Sequence, residues 1–79
     1  MRDESRTAAL GQCLRRARLQ QGLSQMELAY SVGMVPSQIS LLEHGHSLPT
    51  LFGVLRLLGA LGLSVEVLCV AMEGEHESY

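Results

Sequence analysis

Apolar residues in this chain fall into four stretches with helical spacing, followed by one with alternating spacing. Leu10, Cys13, Leu14 and Ala17 recur at helical intervals and predict a helix from about Ser5 to Gln21. Gly22 follows where a left-handed residue closes a helix. A second helix opens at Ser24, and Glu27 completes a reciprocal capping box. Met26, Leu28 and Ala29 carry it to about Ser31. A third begins near Pro36 and ends before Gly45, with Ile39 and Leu42 turned inward. Its cap position holds Val35, whose side chain has no acceptor for the free amides. Thr50 caps a fourth helix through Leu51, Val54, Leu55, Leu58 and Leu61, and Gly62 ends it.

The last stretch reads differently. Leu63, Val65, Val67 and Cys69 alternate onto one face, and Ser64, Glu66, Leu68 and Val70 form the other, which predicts a strand. A lone strand leaves its backbone groups unpaired. A second copy of the chain, zipped along residues 63–72, is the simplest partner, so the pattern predicts a homodimer. Residues 73–79, "EGEHESY", read as an acidic flexible tail.

At 79 residues the chain holds one small domain with limited core capacity. With 47% apolar residues, burial across a dimer interface is the expected supplement. Cys13 and Cys69 each lie in an apolar pattern and read as buried core thiols rather than a disulfide framework. The polar start "MRDESRT" does not resemble an export signal, which predicts a reducing, cytoplasmic setting. Residues 51–72 are long enough to span a bilayer, but Arg56, Glu66 and the "GLS" break argue against a membrane helix.

Charge divides unevenly. Residues 1–56 carry all six arginines against four acids, a net of +2; residues 57–79 carry four glutamates, a net of −4. There is no strongly basic footprint. Any grip on nucleic acid must rely on helix N-termini and neutral donors, with a modest dependence on salt.

A constellation of spaced residues carries the functional signal. Within residues 25–44, Leu28, Val32, Met34, Ile39 and Leu42 supply apolar glue for two helices. Ala29 is small where the helices cross, and Gly33 tolerates the positive φ of a tight turn. Seven matches in register, flanked by further helical segments, predict a helix-turn-helix within residues 1–62.

The segment "LRRARLQQGLSQMELAYSVGMVPSQISLLEHG" resembles the Xre, or lambda-repressor-like, helix-turn-helix family, over roughly residues 9–62. The resemblance implies a mostly α fold, a bundle of four or five helices whose third enters the DNA major groove. The strand after "LLGALGL" is similar to that of HipB-like antitoxins, in which such a strand pairs across a homodimer and the protein also holds a HipA-like kinase toxin. Carried onto this sequence, the family pattern places Gln25 on a phosphate and Pro36, Ser37 and Leu41 against base edges. Gln38 and Ser40 are their neighbours, reaching backbone or base. His44, His46 and Ser47 fall in a loop that approaches the next phosphates. Arg18 and Glu43 match a structural ion pair between the first and third helices. Of the remaining arginines, Arg15 and Arg16 are the pair expected nearest DNA.

Pro36 cannot hydrogen-bond a base and Leu41 offers only apolar contact, so direct readout is expected to be thin. His44 and His46 form an H-x-H pair with too few further ligands for a metal. No catalytic grouping and no phosphate-cradling glycine loop appears, so no enzyme and no cofactor is predicted. The sequence thus predicts a homodimeric, sequence-specific DNA-binding repressor, with the antitoxin role as its finer form. A protein-binding module that kept the frame without reading DNA is the alternative.

Overall fold

The computed structural model describes residues 3–73, which form five helices: α1 (Asp3–Gln20), α2 (Gln25–Val32), α3 (Pro36–Glu43), α4 (Leu51–Leu61) and α5 (Val65–Glu73). The first four match the expected elements to within a residue or two. Their inner faces meet in one core: Leu10, Leu14, Ala17, Leu28, Ala29, Val32, Ile39, Leu42, Leu57, Leu58 and Leu61. Met34 packs half-buried against that cluster.

A close approach of backbones sets the α1–α3 contact. Gly11 is buried, and a Cβ there would stand 2.6 Å from the Glu43 carbonyl oxygen. Only glycine lets the carboxyl-terminal turn of α3 sit this near α1.

The predicted strand is a helix. Leu63, Ser64, Val65, Glu66, Val67, Leu68, Cys69 and Val70 form no strand: Leu63 and Ser64 lead into α5, which holds the other six. Ser64 starts it, its hydroxyl accepting from the Val67 amide at 3.3 Å. Leu68 is buried in the core, and Leu63, Val67 and Val70 line a cleft against Cys13, Ala17 and Gln20 of α1. These positions recur at helical spacing, so one apolar run satisfies both periods. A helix pairs its own backbone groups, whereas a lone strand cannot. Packing on α1 thus overrides the β-preference of the valines. No strand exists among the described residues, so the zipper across a homodimer has no backbone edge to use, and the feature that carried the HipB-like resemblance is gone.

Other expectations change too. Cys69 is exposed and Cys13 only half-buried, so neither is a fully buried thiol; both are free. In α4 the buried positions are Gly53, Leu57, Leu58 and Leu61, while Leu51 and Leu55 face solvent. Residues 74–79 of the expected tail lie outside the described residues; Glu73 ends α5. Among the described residues no helix is long and apolar enough to cross a membrane.

Candidate nucleic-acid interface

The α2–α3 pair is fixed at each end by directional bonds. At the start of α2, the Ser24 hydroxyl accepts from the Glu27 amide at 3.0 Å, and the Ser24 amide donates to Glu27 Oε1 at 2.8 Å. The Ser24 amide, then its hydroxyl, hold the Glu27 carboxyl below the usual carboxylate range. At its end Gly33 takes φ 72°, and its amide turns back toward the Ala29 and Tyr30 carbonyls. Met34 donates to Ala29 at 2.9 Å and closes the turn. Arg56, which was not among the expected site residues, lays its guanidinium alongside Gly33.

α3 begins on Val35 and Pro36. The valine side chain cannot cap, but half a capping box survives: the Val35 amide donates to Gln38 Oε1 at 2.9 Å. The outer surface of α3 then presents Ser37, Gln38 and Leu41 to solvent, with Pro36 at its tip and Ser40 half-buried. Ile39 and Leu42 point into the core, so sequence and structure agree on which side of α3 is free.

Arg18 and Glu43 form the expected ion pair, and both are buried. Arg18 Nε donates to Glu43 Oε2 at 2.6 Å and its Nη2 to Oε1 at 3.0 Å, a bidentate clasp. Nη1 donates to the Leu23 carbonyl at 2.8 Å. Glu43 raises the Arg18 pKa by hydrogen bonding, against the opposing effect of burial. Gln25 joins the same group, its Nε2 donating to Glu43 Oε1 at 3.0 Å. The start of α2, the end of α3 and the last turn of α1 therefore meet at one carboxylate. Gln25 is half-buried, and one of its amide hydrogens is committed to this group.

Beyond α3 the exposed His44 and His46 rings stack with centroids 6.2 Å apart, and His44 Nδ1 lies 2.8 Å from the Ser40 carbonyl oxygen. Ser47 is half-buried in an open cleft of about 320 Å³ shared with Gln38, Leu41, Met34 and Leu48. Arg15 and Arg16 are exposed on α1. Arg16 borders the α1–α5 cleft and, two residues from Arg18, lies on nearly the opposite side of the helix from the Glu43 clasp. The fold does not bring it to the α3 surface. Sequence reasoning also missed an apolar strip, Leu48, Leu51, Phe52 and Leu55, exposed by 70, 71, 72 and 51%. The amphipathic spacing of α4 carried no sign of which flank would be covered.

Known proteins share this fold. No curated protein matches the chain in sequence. Among solved structures, the clp gene regulator ClgR from Corynebacterium glutamicum is similar with a TM-score of 0.81 and 30% identity, over 87% of this chain and 73% of that one. The restriction-modification controller protein C.AhdI from Aeromonas hydrophila is similar with a TM-score of 0.74 and 34% identity, over 78% of this chain and 94% of that one. A model of the helix-turn-helix domain matches residues 9–68, which takes in the α2–Gly33–α3 unit, the Arg18–Glu43 clasp and the first turn of α5. The chain belongs to the helix-turn-helix domain family.

Proposed function

We propose that this chain is a sequence-specific DNA-binding transcriptional repressor that acts as a homodimer. The observation that carries the reading is the exposed outer surface of α3, held rigidly by its inner side and by the Arg18–Glu43–Gln25 group. A recognition helix needs this division: a fixed back and a free front. The regulatory roles in the names of the two similar structures support it. In this reading Ser37, Gln38, Ser40 and Leu41 face base edges, and Pro36 marks the entry of the helix into the groove. Gln25, His44, His46 and Ser47 approach phosphates on either side, and Arg15 adds distant attraction.

The second copy covers the strip formed by Leu48, Leu51, Phe52 and Leu55. The strip begins in the loop that follows α3, and Leu48 also lines the cleft beside Leu41. Its side chains expose on the order of 500 Å², most of the roughly 800 Å² per partner of a standard interface. Pairing there keeps two α3 surfaces close together, as a symmetric operator requires.

Selection of duplexes from a random pool by the full chain, followed by electrophoretic shift at several salt concentrations, tests the reading. An enriched two-fold symmetric site and a shallow salt dependence are expected. Absence of any shift at low salt would favour the protein-binding module instead. Phe52→Glu is expected to sediment as a monomer and lose most operator affinity. A dimer of unchanged affinity would remove the strip from the interface. Repression is checked with a reporter driven by the selected site.

A further inference from the structure

The α3 surface is unusual in lacking any cation. No arginine or lysine occurs between Arg18 and Arg56. Arg18 is locked to Glu43, and Arg56 stands beside Gly33 at the turn. The bidentate arginine–guanine contact, the commonest specific contact in the major groove, has no donor here. Beside the hydroxyls of Ser37 and Ser40, the surface offers two larger side chains one helical turn apart, Gln38 and Leu41.

Gln38 has part of its hydrogen-bonding capacity committed to the helix. Its Oε1 accepts the Val35 amide at 2.9 Å, an orientation forced because an N–H can only donate. Gln38 Nε2 has no hydrogen-bond partner among the described residues, and the residue is exposed at the cleft beside Leu41. While it caps α3, one of the two Oε1 lone pairs is taken by the helix, and Nε2 is the half of the amide left without a partner. Leu41 beside it is 46% exposed. Its carbonyl accepts the His46 amide at 2.8 Å, which ties the end of α3 to the loop, and Met34 and Leu48 line the cleft on its flank. Leu41 is thus an apolar contact on a fixed support.

We propose that Gln38 and Leu41 together read a thymine. In the major groove thymine alone places an acceptor, O4, next to an apolar group, the C5 methyl. A lone amide donor beside a leucine complements that edge. Guanine offers acceptors without the methyl, cytosine presents a donor that would meet the Gln38 donor, and adenine has no methyl for Leu41. The assignment rests on the reading of the chain as a DNA-binding regulator and adds the base and the two side chains that select it.

The test uses the full chain and the duplex it selects. One position in each half-site is expected to be thymine. Replacing that thymine by deoxyuridine removes only the methyl, and affinity is expected to fall about fourfold per half-site. Leu41→Ser, on an exposed position, keeps the fold and abolishes the difference between the thymine and deoxyuridine probes. Gln38→Glu keeps an oxygen for the Val35 amide but turns the donor into an acceptor. It is expected to shift preference at that position from thymine to cytosine by about tenfold. Circular dichroism confirms that both variants are folded. Deoxyuridine with unchanged affinity at every thymine, or Gln38→Glu with the original preference, overturns the thymine assignment while leaving DNA binding intact. Failure to select any duplex at low salt overturns the functional reading and this assignment together.

Discussion

The α2–α3 unit and α5 make an instructive pair. All three helices are short, eight residues for α2 and α3 and nine for α5. Isolated helices of that length are marginal in water, so each depends on its surroundings. The α2–α3 unit is held by groups that point: a complete capping box, a left-handed glycine, a glutamine on the Val35 amide and a buried ion pair. At α5 one hydroxyl at 3.3 Å stands at the start, and Leu63, Val67, Leu68 and Val70 add apolar contact. Directional groups fix where an element begins and ends. Apolar contact rewards burial of the right amount and is nearly indifferent to backbone form.

The largest test of that contrast is Glu43→Leu. It leaves the Arg18 cation buried and frees Gln25, and is expected to cost about 4 kcal/mol in denaturant unfolding. Gly11→Ala comes next, at about 3 kcal/mol, since the methyl group meets the α3 backbone rather than a side chain that can swing away. Leu68→Ala is expected to cost about 2 kcal/mol, with hydrogen exchange showing lost protection in α5 before α2 or α3. Equal loss in all three helices would erase the distinction drawn here. Ser24→Ala removes one cap bond, for about 1 kcal/mol. The smallest effect is a pH dependence. Glu27 has a lowered folded pKa, so its cap contributes in full above the unfolded carboxylate pKa and is lost as pH falls through the folded value. Glu27→Gln is expected to flatten the acid side of the thermal-midpoint curve slightly relative to the parent.

The same contrast explains what the sequence disclosed. Ser24 with Glu27, Gly33, Pro36 and Thr50 each have one structural use at their spacing, and the helix boundaries drawn from them agree with the fold to within two residues. The inward residues Leu28, Ile39 and Leu42 followed from the same frame. The run from Leu63 to Val70 contained one such marker, Ser64, which fitted the outer face of a strand equally well. Its alternation was real, but the partner that decided its form, α1, lay fifty residues away in the chain. Gln25 and Gln38 show a different limit. Their positions on the α2–α3 unit were legible, but their hydrogen bonds depend on where Glu43 and the Val35 amide arrive in space. The exposed strip from Leu48 to Leu55 was invisible for a related reason: an apolar residue in the sequence does not say whether its cover comes from the same chain.

Gly11 has a consequence for how such a domain can change its target. α3 is seated through its backbone, its inner side chains and the Gln38 cap on the Val35 amide, and none of that seat involves the side chains of Ser37 or Leu41. Those two positions can be exchanged without shifting the helix that bears them. If α3 reads DNA as proposed, new operators are reachable by single codon changes on an unaltered frame, and drift in the DNA site can be followed one substitution at a time.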